Sequence, residues 1–208
     1  ALATAEALQM GLTKDQLLDA CREGERLATG SPHPDNVAPS LLGGFVACIP
    51  RGGERVEVVR LSIPTNLYFV CVKPHFSVST QMARDLVPRT VTMEDCIENM
   101  GNLAGLISSL ASSDFALLGR CLADRLATPY RAPLIHGYAE VMDAAREAGA
   151  VGAGISGSGP TLFAISDCME SGERVRDAMV RAFGRVGHEA LAFVSQVDQE
   201  GARIEATV

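Results

Sequence analysis

The chain has 208 residues, of which 47% are hydrophobic and 21% are charged, and its formal net charge is −7. So much apolar surface can offset the entropy of ordering the chain by burial, which excludes an intrinsically disordered protein. No apolar run approaches the roughly 18 residues that a membrane helix needs. The 25 acidic residues outnumber the 18 basic ones, and no basic cluster is present, so we expect no membrane and no nucleic acid among its partners.

The cysteines and the first residues bear on the cellular compartment. Residues 1–10 include Glu6 and lack the basic flank, apolar run and small-residue cleavage site of a secretory signal. Neighbouring cysteines are 23 to 47 residues apart, and the four histidines are equally scattered. A zinc site or redox motif needs at least one short spacing, so we expect six reduced thiols in a cytoplasmic protein.

The first third of the chain predicts two helices, a loop and a hairpin. Apolar residues over 1–10 predict a helix that has already begun, because no capping residue precedes it. Thr13 and Gln16 form a capping box for a second helix that ends near Leu27. Turn-forming residues predict a loop over 29–44. Two short apolar runs then predict a hairpin with strands 45–50 and 54–61.

The remaining residues predict an apolar strand, four helices and a second set of strands. The strand over Leu67–Lys73 is nearly continuously apolar, which is typical of a buried central strand. Helices are expected over 80–86, 92–110, 115–126 and 134–148, and the proline-rich residues 128–133 are expected to form a rigid connection. Strands follow at 151–156 and 161–166, then a helix at 172–186, a strand at 190–197 and a candidate strand at 202–208. This order indicates an α+β fold in which helices cover one face of an antiparallel sheet.

A glycine-rich segment, residues 152–161, is the most distinctive local feature. Its formal G-x-G-x-x-G pattern does not support a dinucleotide site, because the segment leads into a strand where that motif opens a helix. Two interpretations stay open. The loop can bring backbone N–H groups close to an anion, with Ser156 and Ser158 adding hydroxyl donors, or its glycines can simply allow the positive φ angles of a tight hairpin.

Two further sets of residues could contribute chemistry. Glu25, His33, Asp35 and Asn36 combine a Mg²⁺ ligand with hydrogen-bonding groups for a substrate hydroxyl. Alternatively, Asp35 caps the turn at Val37 and Glu25 is a solvated helix residue. Guanidinium groups at Arg84 and Arg131 suit recognition of a carboxylate or phosphate, although most arginines are simply solvated surface residues.

Taken together, four segments resemble the GHMP superfamily of small-molecule kinases, and within it the homoserine kinase branch. The matching segments occur in order along nearly the whole chain: residues 33–39 with 43–45, 79–84, 129–135 and 154–161. The resemblance implies a C-terminal GHMP-type α+β domain over 65–208, preceded in 1–64 by part of an N-terminal domain. It also implies transfer of a phosphoryl group from ATP to the hydroxyl of L-homoserine, with Mg²⁺ as cofactor and a homodimer as a candidate assembly.

Roles for individual residues follow from the resemblance. Glu25 is expected to bind Mg²⁺, Asn36 and nearby His33 to position the hydroxyl, and Thr80 to lie near the reacting phosphate. Arg84 and Arg131 are expected to bind the substrate carboxylate. The loop residues are expected to line the substrate and phosphate pocket: Ser156, Gly157, Ser158 and Gly159.

The sequence departs from the family pattern in several places. Thr128 and His136 stand where the family commonly has Glu and Pro, and the family's Gly/Ser-rich phosphate loop, which the resemblance places just before Ala1, is not among these 208 residues. Because that loop supplies backbone donors to the nucleotide, we expect the 208-residue chain alone to bind ATP poorly and to have little activity. Two alternatives stay open, namely a mevalonate-type GHMP kinase and a non-catalytic module for amino-acid binding or dimerisation.

Overall fold

The computed structural model describes residues 1–205, which divide into two units. One unit consists of Ala1–Ser62 together with the described residues from Val197 onward, and the other is Ile63–Gln196. The sequence places a division at almost the same point, between residues 64 and 65. The division expected from the sequence differs at the C-terminus, because it assigns residues 65–208 to one domain.

The first unit packs three helices against a two-stranded hairpin. Its elements are α1 (Leu2–Ala7), α2 (Lys14–Thr29), α3 (Pro34–Leu42), β1 (Phe45–Pro50) and β2 (Val56–Leu61). The strands pair antiparallel, with Phe45 opposite Leu61 and Pro50 opposite Val56. Thr13 and Gln16 form the predicted capping box at the start of α2. The hairpin and the second helix are therefore confirmed.

Helix α3 replaces most of the predicted loop over 29–44, so that prediction was wrong. Pro34 is at the start of the helix, where its fixed φ and its missing N–H are both tolerated. Ala38, Leu41 and Leu42 recur at helical spacing and are buried in the core of this unit. Burial of this apolar face favours the helix despite Pro39 in its interior, because packing outweighs weak intrinsic propensity.

The C-terminal residues join the first unit through backbone hydrogen bonds. The amide of Gly44 donates to the carbonyl of Asp198 at 2.7 Å, and the amide of Ala202 donates to the carbonyl of Ser40 at 2.9 Å. A Cβ atom on Gly43 would lie 2.4 Å from the backbone nitrogen of Gly201, so only glycine allows this close approach. Residues 202–205 form no strand, in contrast to the prediction for 202–208, and 206–208 lie outside the described residues.

The second unit contains a four-stranded sheet and six α-helices among the residues described. Its strands are β3 (Tyr68–Pro74), β4 (Gly152–Ile155), β5 (Leu162–Ser166) and β6 (Ala190–Ser195). Its helices are α4 (Thr80–Asp85), α5 (Met93–Ser112), α6 (Phe115–Cys121), α7 (Thr128–Arg131), α8 (Tyr138–Glu147) and α9 (Met169–Arg185), with a 3-10 turn at Ala132–Leu134. Helix α6 ends earlier than expected, α8 begins later, and residues 128–134 are helical turns.

The sheet has the strand order β4-β5-β3-β6, and every neighbouring pair is antiparallel. Strand β3 lies in the interior of the sheet, where Val70 faces Ala164 of β5 and Val194 of β6, which confirms the predicted central strand. Val70, Met179 and Phe183 are fully buried in the core formed by the sheet with α8 and α9. The α+β class with helices on an antiparallel sheet is thus confirmed.

All six cysteines carry free thiols and are half-buried. Within the described part of the chain, no helix is both long and apolar enough to cross a bilayer.

Candidate active site

The predicted site residues fall into two sets, one in each unit. Glu25, His33 and Asn36 belong to the first unit. Thr80, Arg84, Arg131 and the loop residues Ser156, Gly157, Ser158 and Gly159 belong to the second.

In the first unit, the start of α3 carries the polar residues. His33 is the N-cap residue of α3, and Asp35 and Asn36 lie exposed in its first turn, so Asp35 is inside the helix and not the cap of a turn at Val37. Asn36 lines a cavity of about 570 Å³ together with Ala20 and Gly24 of α2. Glu25 lies half-buried in the second half of α2.

Arg22 is a residue of this region that sequence reasoning missed. Its side chain is buried, and it donates from Nε to the carbonyl of Pro32 at 3.2 Å and from Nη2 to the carbonyl of Glu54 at 2.6 Å. A third bond, at 2.9 Å, joins it to the carboxylate of Asp19. Arg22 thereby ties the loop before His33 to the hairpin turn. Its position four residues after the buried Leu18 is the signal that could have indicated it.

In the second unit, the glycine-rich loop forms the tight hairpin between β4 and β5. The amide of Ser156 donates to the carbonyl of Thr161 at 2.9 Å, and the amide of Gly159 donates to the carbonyl of Ser156 at 3.0 Å. Gly157 and Gly159 have φ angles of +59° and +81°, which favour glycine. Gly157 is exposed, and apart from its chain neighbours nothing lies within 4 Å of where its Cβ would be, so the tip of the loop is also accessible to a ligand. The two interpretations of the glycines are therefore compatible.

Arg131 connects three of the segments that the sequence singled out. It is the last residue of α7, and it donates from Nε to the carbonyl of Ala83 in α4 at 3.3 Å. Its Nη1 donates to the carbonyl of Gly157 at 3.0 Å. A guanidinium has five N–H donors, and within residues 1–205 the others have no hydrogen-bond partner. The two bonds hold the guanidinium in place, and its other N–H donors remain available to a ligand.

The start of α4 lies next to the same loop. Ser79 caps α4 by accepting a hydrogen bond from the amide of Met82, which confirms the predicted helix start. The hydroxyls of Thr80 and Ser158 lie 3.3 Å apart. Arg84 follows one turn later and is half-buried, and its guanidinium has no hydrogen bond or ion pair within the described residues. Thr80, Arg131 and the loop are brought together, whereas among residues 1–205 no hydrogen bond or ion pair joins the Arg84 side chain to them.

Asp124 is a second residue that sequence reasoning missed. Its carboxylate accepts hydrogen bonds from the amides of Leu126 at 2.9 Å, Ala127 at 3.1 Å and Thr128 at 2.6 Å, ahead of Arg131. Burial alone would raise the pKa of Asp124, but the bonds donated by Leu126, Thr128 and Ala127 together outweigh it and lower the pKa. The carboxylate therefore fixes the turn that carries Arg131. An Asp side chain commonly accepts a hydrogen bond from the amide two residues further on, so Asp124 is a recognisable turn signal.

Comparison with known proteins agrees with the resemblance seen in the sequence. Residues 106–186 match the family described as GHMP kinases C terminal. The chain is 40% identical over 205 residues to a homoserine kinase of Chlorobium phaeobacteroides strain BS1, which covers 98% of this chain and 63% of that protein. By these matches the chain is similar to GHMP kinases, with the C-terminal domain of that family matched within residues 106–186. It is also 38% identical over 211 residues to a homoserine kinase of Arabidopsis thaliana, covering all of this chain and 56% of that protein.

Solved structures of GHMP kinases have the same fold. The crystal structure of a homoserine kinase from Cytophaga hutchinsonii matches with a TM-score of 0.90 at 38% identity, over 95% of this chain and 62% of that one. The structure of L. major mevalonate kinase matches with a TM-score of 0.70 at 17% identity, over 97% of this chain and 63% of that one, and this likeness shows the fold alone. The chain spans about 63% of the length of the first of these relatives.

For a GHMP kinase, the donor set of the first unit fits a metal held mainly by a nucleotide. No group of three or more His, Cys, Asp or Glu side chains that could hold a metal occurs among the residues the structure describes. Mg²⁺ usually binds one or two carboxylates and takes its other ligands from phosphates and water. A single carboxylate such as that of Glu25 is compatible with this type of site.

Proposed function

We propose that this chain is the C-terminal part of a kinase that transfers a phosphoryl group from ATP to the side-chain hydroxyl of L-homoserine. The observation that carries the proposal is the Arg131 guanidinium, held by the carbonyls of Ala83 and Gly157. The proposal is supported by relatives named homoserine kinase that are 38% to 42% identical over at least 98% of this chain.

Arg131 would bind the carboxylate of the amino-acid substrate. Two of its five N–H groups already donate to backbone carbonyls, and these bonds hold the plane of the guanidinium without neutralising its charge. The remaining donors suit a carboxylate, for which a planar fork is better adapted than a point charge. Arg84, a second half-buried guanidinium on α4, would add to the positive potential around the same carboxylate.

The glycine-rich loop and the start of α4 would line the phosphate side of the pocket. The Thr80 and Ser158 hydroxyls, 3.3 Å apart, can each turn a donor toward a phosphate oxygen. Ser156 and Gly157 are exposed at the tip of the hairpin. Because Gly157 has no side chain and the position that a Cβ would take is free, its backbone can approach an anion closely.

The residues of the first unit would act on the hydroxyl and the metal. Asn36 would hydrogen-bond the substrate hydroxyl, with His33 nearby, and Glu25 would provide the carboxylate for Mg²⁺. The metal, when bound with ATP, supplies neutralisation of phosphate charge. Phosphoryl transfer depends mainly on positioning and charge neutralisation, so the role of Asn36 would be to hold the hydroxyl of homoserine in a fixed orientation.

A kinase assay on the full-length gene product tests the proposal. Homoserine should be phosphorylated in preference to mevalonate. Arg131→Ala should raise the KM for homoserine by roughly 10- to 100-fold, as expected for the loss of about 1.5–3 kcal/mol from a charged hydrogen-bonding pair. The KM for ATP should change little. Arg131→Lys keeps the charge and loses the planar fork, so its KM for homoserine should lie between those of the unsubstituted enzyme and Arg131→Ala.

Arg146→Ala is the matched control. Arg146 is an exposed arginine on α8 that pairs with Asp143 in the preceding turn, so its removal should leave both KM values unchanged. An unaltered homoserine KM in Arg131→Ala, or phosphorylation of mevalonate but not homoserine, would overturn the proposal.

The expectation of weak activity for the 208-residue chain can be tested separately. Calorimetric titration with ATP and Mg²⁺ should give no saturable binding in the micromolar range. Robust homoserine phosphorylation by the isolated chain would refute this expectation while leaving the substrate assignment intact.

A further inference from the structure

His136 and His188 form a pair of imidazole rings that the proposed function does not use. Nδ1 of His136 lies 2.8 Å from Nε2 of His188, although 52 positions of the chain separate the two residues. The ring centroids are 5.0 Å apart and the ring planes are nearly perpendicular, at 85°. When both rings are neutral, one nitrogen donates its proton to the other. The same two nitrogens can also bind a cation, because histidine is the commonest metal ligand in proteins.

We propose that His136 and His188 together bind one late first-row divalent cation, such as Zn²⁺ or Ni²⁺, with water as the remaining ligands. Imidazole nitrogen suits Zn²⁺, Ni²⁺ and Cu²⁺, whereas Mg²⁺ prefers oxygen ligands. The site therefore differs in chemistry from the Mg²⁺ expected with ATP. The proposal is independent of the homoserine kinase assignment, since neither histidine belongs to the proposed substrate site.

The separation of the two rings fits a shared cation. At a metal–nitrogen distance of about 2.0–2.1 Å, two ligand nitrogens are about 2.9 Å apart at a right angle and about 3.4 Å apart in a tetrahedral site. The two nitrogens therefore need to separate by about 0.1–0.6 Å from their present 2.8 Å. The ring centroids would be about 4.5–5.2 Å apart in these geometries, a range that contains the observed 5.0 Å. A tilt of the rings toward a common point thus makes room for the ion.

The His188 ring is held in place by its neighbours. It packs against the ring of Phe76 at a centroid distance of 4.7 Å, and Phe76 packs against the core of the second unit. The amide of His188 donates to the carbonyl of Phe183 at 2.9 Å. The next carbonyl, that of Glu189, accepts from the amide of His75 at 2.9 Å. A ring fixed in this way loses little freedom when it binds an ion.

The backbone at His136 is held close to the same part of the fold. Ile135 on one side is buried. Gly137 on the other side has a φ of +82°, and a Cβ there would lie 2.5 Å from Cγ2 of Val186, so a glycine is needed for this close approach to the end of α9. His136 is exposed and His188 is half-buried. A cation can therefore reach both nitrogens from solvent while the packing around them holds the backbone.

The number of ligands predicts a site of moderate affinity. Structural zinc sites have four protein ligands, whereas this site has two on separate parts of the chain. We expect a dissociation constant in the micromolar range, and Cu²⁺ should bind more tightly than Ni²⁺ or Zn²⁺. Because a histidine binds a metal through a neutral ring nitrogen, protons compete with the ion, and the affinity should fall as the pH is lowered from 7.5 to 5.5.

Proton NMR of the imidazole rings tests the proposal, because the chain has four histidines. Zn²⁺ alone, added to the chain at pH 7.5, should shift the signals of His136 and His188 together, with saturation at one ion per chain. The signals of His33 and His75 should stay in place. Mg²⁺ at the same concentration should leave the His136 and His188 signals unchanged. Zn²⁺ shifts that are confined to His33 or His75 would overturn the proposal.

Calorimetric titration with Zn²⁺ measures the contribution of each ring. His136→Gln and His188→Gln should each weaken binding at least tenfold, because one imidazole alone no longer chelates the ion, although glutamine can still form a hydrogen bond with the remaining ring. His75→Gln is the matched control, since it makes the same change at an exposed histidine that lies 3.5 Å from the carboxylate of Glu189, and it should leave the dissociation constant unchanged. Circular dichroism should give the same helix content for all variants. Zn²⁺ binding of equal strength in His136→Gln and the unsubstituted chain would show that the pair is a hydrogen bond only.

Discussion

Replacement of Asp124 should destabilise the turn that carries Arg131. The carboxylate accepts three backbone hydrogen bonds, from Leu126, Ala127 and Thr128, over 2.6–3.1 Å. Asp124→Ala removes all three acceptor contacts and leaves those amides short of partners in a half-buried turn. Asp124→Asn keeps one carbonyl oxygen as an acceptor and loses the charge.

The magnitude follows from the number and type of these bonds. Loss of a single helix N-cap side chain costs about 0.5–2 kcal/mol, and bonds to an ionised acceptor are the stronger ones. We therefore expect Asp124→Ala to lower the free energy of unfolding by about 2–3 kcal/mol at pH 7. The expected loss for Asp124→Asn is about 1 kcal/mol, because one acceptor remains.

The effect of Asp124 should depend on pH with a definite sign. The hydrogen bonds lower the pKa of Asp124 in the folded chain, so its ionised form is favoured by folding. Its contribution is fully present above the ordinary carboxyl pKa of about 3.9 and is lost as the pH falls through the lower folded value. The stability difference between the unsubstituted chain and Asp124→Asn should thus be constant from pH 7 to about 5 and shrink below about pH 4.

Urea unfolding monitored by circular dichroism at several pH values measures both effects. Asp143→Asn serves as the control, because Asp143 is an exposed carboxylate paired with Arg146 on one helix surface, and its loss should change stability by less than about 0.5 kcal/mol. Equal stabilities for Asp124→Ala and the unsubstituted chain, or a difference that does not shrink in acid, would refute the role of the Asp124 carboxylate in fixing this turn.

Three further substitutions test the packing around the two parts of the site. Gly159→Ala should destabilise by about 1–3 kcal/mol in urea unfolding, because φ is +81° and the added Cβ would lie 2.9 Å from Cδ1 of Ile135; an unchanged midpoint would contradict this. Arg22→Ala should cost about 2–4 kcal/mol, since it removes a buried guanidinium and leaves two part-buried carbonyls without their charged donor; a loss below about 0.5 kcal/mol would show that Arg22 is dispensable. Phe183→Ala removes a fully buried ring and should cost about 3–5 kcal/mol, and a smaller loss would indicate that the core collapses around it.

Elements with strong local signals could be predicted from the sequence. The capping box of Thr13 and Gln16, the start of α4 at Thr80 and the apolar run of β3 each occupy the predicted positions. Their signals lie within a few residues, because a cap bonds to the next turn and a buried strand is apolar along its own length. Helix α3 was missed, since its prolines are typical of loops and only burial of its apolar face favours the helix.

The sequence by itself therefore determined the fold class, the order of most elements and the residue types available for chemistry. Only the tertiary structure decided which of these residues meet. The bonds from Arg131 to Ala83 and Gly157 span 48 and 26 positions of the chain, and the bond from Gly44 to Asp198 joins the C-terminal residues to the first unit. Such contacts have no local pattern, because a backbone carbonyl is the same acceptor at every residue and only chain folding selects which one a donor reaches.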